Sequence, residues 1–296
     1  MPKICDLIKE GAGKLREAAI EDPRLTASLL LAELLGRDRT YLLAHDCDEV
    51  SEEILLSYRA AIERRAGGEP LQYITGRQEF YGRDFIVTPA TLIPRPETEL
   101  IVETALRLAT DLQLTAPRIL DICTGSGCIA VTLAAELISS IVFAVDISMP
   151  ALSVARRNAE RHGMSERCRF FAGDLCCAVR EDLSEDLKFD LCCANPPYVS
   201  REDRETLQFE VRMHEPEAAL FADDGGLAVI RRIFEECPSI VKSGGYLLCE
   251  IGYGQERDAL DAVDKRVWEI KETIKDLAGI PRTLVLRRSF QSLRAS

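Results

Sequence analysis

Ile119-Leu120-Asp121-Ile122-Cys123-Thr124-Gly125-Ser126-Gly127-Cys128-Ile129-Ala130 is an apolar run, a turn with two glycines and the start of a second apolar segment. The first run has the length of a buried strand, and the second predicts a helix over 130–137. Glycines between them let the backbone approach a ligand closely and leave amides exposed near a helix N-terminus. A further apolar run, Ile141-Val142-Phe143-Ala144-Val145, ends in Asp146, about twenty residues beyond Gly125. An acid in that place accepts hydrogen bonds from both hydroxyls of a ribose. Taken alone, Asp146 reads as the cap of a helix over 149–160. The order strand, glycine turn, helix, strand, acid favours the ribose, and with it an adenosine-containing cofactor held between adjacent strand ends.

Outward from this unit, helix and strand alternate from about position 97, with strands predicted near 118–123, 141–146, 168–172, 189–194 and 244–251. That pattern means a doubly wound, mostly parallel, Rossmann-like sheet whose ligands lie beyond the carboxyl ends of its strands. The last two strands, about 267–275 and 282–288, have only a short connection and predict an antiparallel hairpin at the edge. Residues 1–77 read instead as a small helical bundle: Asp22-Pro23 opens a helix that Gly36 closes, and another runs from about Ser51 to Ala66. Between the two lies a strand-pair linker over 78–96, with Phe80, Tyr81, Phe85 and Val87 around Gly82. The expected domains are therefore 1–77, 78–96 and 97–290. Pro96, Glu97 and Glu99 suit a helix N-terminus. Arg95 does not, and it is placed near cofactor or substrate. Glu250, beside Gly252-Tyr253-Gly254, reads as structural.

A second turn carries a different chemistry. Phe189-Asp190-Leu191-Cys192-Cys193-Ala194 is a buried strand stopped by Asn195-Pro196-Pro197-Tyr198. Pro197 fixes its own φ and keeps Pro196 extended, so carbonyls there leave the ladder. The Asn195 side-chain oxygen and the Pro196 carbonyl then suit the two N–H donors of a planar NH2 group, with Tyr198 over its flat face. A proline-stiffened loop is the plainer alternative. Gly125-Ser126-Gly127-Cys128-Ile129-Ala130 also satisfies the relaxed dinucleotide pattern, so NAD competes for the cofactor site. Three features favour S-adenosylmethionine. Asp121 precedes the glycines, where it would receive an ammonium and repel a pyrophosphate. Asp174 and Leu175, after Phe170-Phe171-Ala172-Gly173, suit an adenine amino group and ring. The NH2 clamp follows a neighbouring strand, where a transferred methyl needs its acceptor. The expected cofactor residues are Asp121, Cys123, Thr124, Gly125, Ser126, Gly127, Asp146, Ile147, Asp174, Leu175 and Asn195.

Over nearly its whole length the chain resembles the HemK family, the protein-(glutamine-N5) methyltransferases of peptide chain release factors. The resemblance runs through Gly68-Glu69-Pro70-Leu71-Gln72-Tyr73-Ile74-Thr75-Gly76 and Glu79-Phe80-Tyr81-Gly82. It continues through Thr91-Leu92-Ile93-Pro94-Arg95-Pro96-Glu97-Thr98-Glu99, Asp121 to Gly127, Asp146 and Asn195 to Tyr198. Later come His214-Glu215-Pro216-Glu217-Ala218-Ala219-Leu220, Glu250-Ile251-Gly252-Tyr253-Gly254-Gln255 and Asp276-Leu277-Ala278-Gly279-Ile280-Pro281-Arg282. Asn-Pro-Pro-Tyr alone is shared with enzymes that methylate amino groups of DNA and RNA bases; its combination with 92–99 is much more specific. Cys123 and Thr124 stand where many relatives have other small residues, a variation that backbone contacts tolerate. The resemblance implies a class I methyltransferase fold and methyl transfer from S-adenosylmethionine, leaving S-adenosylhomocysteine. It implies an acceptor glutamine in the Gly-Gly-Gln loop of a release factor, Asn195 and Pro196 as catalytic residues, Pro197 and Tyr198 as substrate contacts, and a helical domain that helps engage the factor.

Bulk properties agree. The chain has 296 residues and a net charge of −12. It lacks the clustered cations that dominant binding to a nucleic-acid backbone requires. A base-modifying enzyme, an NAD oxidoreductase and a catalytically silent scaffold are the rival readings. Eleven cysteines without a C-x-x-C pair predict reduced, mostly buried thiols, with Cys176-Cys177 incidental on a loop, and three histidines offer no metal site. The start is no signal peptide and no run is long enough to span a membrane. A cytoplasmic monomer is expected, with a protein substrate, no metal, and no direct contact with nucleic acid or membrane.

Overall fold

The computed structural model describes residues 1–177, Val179 and 187–290. The chain divides into two compact units: Met1–Arg77 together with Gln208–His214, and the rest of the described chain. Residues 208–214 thus cluster with the first unit although they lie inside the predicted 97–290 domain; positions 178 and 180–186 of that domain are outside the described residues.

In the first unit the helices α1 (Ile4–Glu17), α2 (Pro23–Leu35), α3 (Arg39–Ala44), α4 (Glu52–Ala66) and α5 (Leu71–Thr75) follow one another. Pro23 takes the first position of α2, and Gly36 closes it in the left-handed conformation. Ser51 caps α4 by accepting from the Ile54 amide. Leu7, Leu15, Leu30, Leu31 and Ile62 form the core, and the buried Tyr58 hydroxyl donates to the Leu7 carbonyl at 3.1 Å. Arg65 on α4 pairs with Glu210, in the helix Phe209–His214.

The second unit is built on seven strands. β1 (Arg77–Phe80) and β2 (Arg83–Ile86) form a separate hairpin ahead of them. The sheet comprises β3 (Arg118–Ile122), β4 (Ile141–Asp146), β5 (Cys168–Ala172), β6 (Phe189–Ala194), β9 (Val241–Glu250), β10 (Trp268–Lys275) and β11 (Pro281–Arg288). Its order is β10-β11-β9-β6-β3-β4-β5. The strands β9, β6, β3, β4 and β5 are parallel, while β11 runs antiparallel to both β9 and β10, which gives the edge hairpin expected from the short connection. Two short strands, β7 (Val199–Ser200) and β8 (Phe221–Ala222), pair outside the sheet.

Because strand side chains alternate, the sheet feeds two cores. Ile119, Leu191, Cys193 and Leu248 face one core, which also takes in α6 (Glu99–Asp111) and α7 (Cys128–Glu136). Leu120, Cys192, Leu247 and Leu284 face the other, with Ile230, Ile233 and Phe234 of the helix Ala228–Glu236. Seven of the cysteines are buried in these layers and all eleven are free thiols. Residues 78–96, read from sequence as a linker, pack within this unit: Phe80 and Phe85 are buried in its core, and the Tyr81 amide donates to Glu99.

Candidate active site

Most of the residues that the sequence singled out for the cofactor collect at the carboxyl ends of β3, β4, β5 and β6, around a cavity of about 350 Å³. That volume lies within the usual range for a small-molecule site. The turn after β3 contributes Cys123, Thr124, Gly125 and Ser126. Asp146 and Ile147 come from the end of β4, Asp174 and Leu175 from the end of β5, and Asn195 and Pro197 from the end of β6. The segment before α6 adds Leu92, Pro94 and Thr98. Asp121, Gly127, Pro196 and Tyr198, four residues expected to touch a ligand, do not line this space.

The glycine turn is tightly determined. Gly127 has φ +80°, and a Cβ there would come within 3.0 Å of the Ala155 Cβ on α8 (Met149–Arg161), so glycine answers both conformation and proximity. It is the N-cap of α7, which starts at Cys128, two residues before the sequence expectation, with no side-chain cap. Asn158 on α8 braces the turn from behind. Its amide group donates to the Ser126 carbonyl at 2.8 Å and the Ile86 carbonyl at 2.9 Å, and its oxygen accepts from the Ile86 amide. Nothing in the local sequence marked Asn158, since its partners lie far away along the chain.

Asp146 accepts from the Gly125 amide and from the Ser148 amide, both at 2.8 Å. It does not cap α8; Ser148 does, accepting from the Ala151 amide. Burial raises the Asp146 carboxyl above its ordinary value, against the pull of those two amides. Asp121 lies under the turn with no exposure. One of its oxygens accepts from the Thr124 hydroxyl at 2.5 Å and the Ala130 amide at 3.2 Å, while Oδ1 has no partner. Burial pushes this carboxyl up to about 7. Asp174, expected beside an adenine amino group, holds Arg232 through both oxygens at 3.2 and 2.9 Å, and both residues line the cavity. Arg95 is likewise spoken for: it pairs with the buried Glu215 carboxylate, which also accepts from the Ile93 amide, so the cation fastens the 93–95 segment.

The turn after β6 is held by a network that sequence reading missed. Tyr198 donates its hydroxyl to Glu250 Oε1 at 3.1 Å, and Thr98 donates to Glu250 Oε2 at 2.8 Å. Asn195 Nδ2 donates to Thr98 Oγ1 at 2.9 Å, which leaves Asn195 Oδ1 buried and without a partner. Gln255 Nε2 donates to the Tyr198 carbonyl at 2.8 Å. Gly226, at φ +87°, lets the same carbonyl approach so closely that a Cβ would stand 2.1 Å from it. No backbone amide among the described residues donates to the Pro196 carbonyl. The Tyr198 ring is partly buried and packs against the core.

These residues fit an adenosine-containing methyl donor. Unsatisfied buried acceptors cost free energy that a ligand's donors offset, and Asp121 Oδ1 suits an ammonium. The Asp146 carboxylate borders the cavity beside Ile147 and Leu175, which offer apolar surface to a ring.

A mostly parallel seven-stranded sheet with an antiparallel edge hairpin, bearing a glycine turn and an Asn-Pro-Pro-Tyr turn on neighbouring strands, defines a class I methyltransferase. Two solved structures share the fold at low identity. One is a methyltransferase from Pyrococcus furiosus, with a TM-score of 0.50, 18% identity, and coverage of 71% of this chain and 91% of that one. The other is the hMettl16 catalytic domain in complex with MAT2A 3'UTR hairpin 6, with a TM-score of 0.55, 15% identity, and coverage of 82% and 84%. The PrmC N-terminal domain model matches residues 6–76 and the methyltransferase small domain model matches residues 98–249. The release factor glutamine methyltransferase of Koribacter versatilis is 42% identical, covering 93% of this chain and 94% of that protein. Its namesake from Geobacter sulfurreducens is 43% identical, with 92% of each chain covered. The chain belongs to the release factor glutamine methyltransferase family.

Proposed function

We propose that the protein transfers a methyl group from S-adenosylmethionine to the side-chain amide nitrogen, N5, of the glutamine in the Gly-Gly-Gln loop of peptide chain release factors. The observation that carries this reading is Asn195 Oδ1, an acceptor sealed from solvent, unpartnered, on a residue that borders the cavity. A group so placed awaits a donor, and a primary amide brings two.

An amide nitrogen is a poor nucleophile because its lone pair is delocalised into the carbonyl. S-adenosylmethionine, when bound, supplies a methyl group already activated by its sulfonium. The protein's task is therefore to hold the nitrogen and shape its surroundings. Asn195 Oδ1 and the Pro196 carbonyl accept the two N–H groups, fix the plane of the amide and stabilise the positive charge that grows on nitrogen. This is positioning with preorganised dipoles. Asp121, Asp146 and the 123–127 turn hold the donor, with Ile147 and Leu175 beside its rings. The reading makes the protein a cytoplasmic enzyme, active as a monomer on a protein substrate. Its charge of −12 suits a basic protein partner better than a nucleic acid, and no helix among the described residues is long and apolar enough to cross a membrane.

The test is transfer of radiolabelled methyl to unmethylated release factor, to a factor whose loop glutamine is changed to alanine, and to duplex DNA. Label on the wild-type factor alone is expected. Equal label on the altered factor, or label on DNA, would overturn the substrate; no label anywhere would revive the scaffold reading.

A further inference from the structure

A primary amide is nearly symmetric in shape, so which end of Asn195 faces the cavity depends on partners that tell oxygen from nitrogen. Thr98 does this. Its hydroxyl has one proton, and that proton goes to Glu250 Oε2, so Thr98 Oγ1 meets Asn195 as an acceptor and takes the NH2 end. The carbonyl end is left for the cavity. On the other side Glu250 Oε1 accepts from Tyr198, so both hydroxyl protons run toward the carboxylate. Thr98 precedes α6, Asn195 follows β6 and Glu250 ends β9, which brings three distant pieces of chain to one chain of hydrogen bonds.

We propose that Glu250 and Thr98 are positioning residues for the methyl transfer, fixing the Asn195 side chain with its carbonyl oxygen toward the acceptor amide. The inference rests on the amide-methylating reading above and extends it to the residues that aim the clamp. It also makes the clamp sensitive to protonation. A protonated Glu250 becomes a donor, Thr98 is freed to donate to Asn195, and the amide can turn round. Two NH2 groups then face each other, enzyme and substrate, and the acceptor is lost.

The setting of Glu250 puts that change within reach of ordinary conditions. The side chain is 1% exposed, and burial pushes its carboxyl up to about 7. The Thr98 and Tyr198 hydroxyls work against the rise. Glu97, on the 3-10 turn before α6, adds to it, and Arg282 on β11 opposes it. Cys128 at the start of α7 and Cys249 on β9 also face this carboxyl, and burial pushes both thiols up, so they stay neutral. Arg282 is steadied by Asp276 at 2.9 Å.

Two measurements test the proposal. The first is the pH profile of kcat for methyl transfer to unmethylated release factor at saturating S-adenosylmethionine, where titration of Asp121 in cofactor binding does not enter. We expect an acid limb that Thr98→Ser retains and that Thr98→Val and Glu250→Gln lose, since Glu250→Gln replaces the titrating carboxyl with an amide. Above the limb, those two variants should be slower in kcat by roughly 10- to 100-fold, with KM moved far less, as fits loss of aim rather than of a contacting group. The second uses nitrogen-labelled protein alone, without substrate or cofactor. The Asn195 side-chain amide resonances, identified by their loss in Asn195→Ala, should titrate with the midpoint of the acid limb. A Thr98→Val enzyme with wild-type kcat and acid limb, or Asn195 resonances indifferent to pH, would overturn the inference, and the titration decides it even if a variant fails to fold. A wild-type enzyme that labels no release factor would contradict the functional reading instead.

Discussion

Two carboxyl groups are sealed into the carboxyl end of the same sheet, Asp121 on β3 and Glu250 on β9, and they differ in one respect. Both are wholly buried and both are pushed up to about 7 by that burial. Register places them on one face: Asp121 pairs with Cys193, Cys193 with Leu248, and Glu250 lies two residues further along β9. Glu250 has both oxygens bonded by side chains of the protein, whereas Asp121 keeps one oxygen unpartnered. In the proposed reading the satisfied carboxyl aims what it touches, and the unsatisfied one is left for a donor of the ligand. The same contrast separates the ends of the Asn195 amide, one fixed by Thr98 and the other free.

Substitutions can break this contrast at each point. The largest effect should come from the free acceptor itself: Asn195→Ala is expected to lower kcat/KM by about 10²- to 10³-fold, the usual loss for one preorganised catalytic partner. Steady-state kinetics with S-adenosylhomocysteine affinity as a control check this, and a loss below about fivefold would defeat the clamp.

Glu250 should next reveal itself in stability. Its carboxyl titrates near 7 in the folded chain against an ordinary value of 4.5, so the stabilisation it lends is complete below that ordinary value and is lost as pH rises through 7. Urea unfolding at about pH 5 and about pH 8 should show wild type losing about 2.5 kcal/mol relative to Glu250→Gln over that window. Parallel pH dependence in the two proteins would place Glu250 in a more polar setting than its burial describes.

Asp121 should behave in the opposite way toward a ligand. An ammonium beside its free oxygen favours the ionised form, so calorimetry should show affinity for S-adenosylhomocysteine rising with pH through about 7. Asp121→Asn should weaken binding about tenfold and flatten that dependence. Unchanged affinity would mean that the free oxygen serves no ligand. The smallest effect belongs to Tyr198→Phe, which removes one hydrogen bond to Glu250 and should cost about 1 kcal/mol of stability in thermal or urea unfolding. A larger loss in activity than in stability would return Tyr198 to the substrate.

What could be read from sequence was what neighbouring residues decide. The apolar run before Asp121, the glycines of the following turn, the prolines that stop β6 and the short link of the edge hairpin all act within a few residues, and each appears where periodicity and backbone chemistry place it. Partnerships across the fold were not legible. Thr98, Asn195 and Glu250 are separated by 97 and 152 positions in the two bonds that join them, so no spacing pattern announces the network. Arg95 was recognised as a cation that capping did not explain, yet its partner Glu215 lies 120 residues away. Asp174 read as an acceptor for an adenine amino group, and its pairing with Arg232, 58 residues further on, was out of local view. Burial told the same story for Glu250, whose strand-end position gave no hint that both its oxygens would be engaged.

The most direct test of the account is a crystal structure with S-adenosylhomocysteine and a peptide carrying the Gly-Gly-Gln loop. The glutamine NH2 group is expected within about 3 Å of Asn195 Oδ1, with Asn195 Nδ2 still on Thr98. A glutamine turned with its oxygen toward Asn195, or bound away from the 195–198 turn, would contradict it.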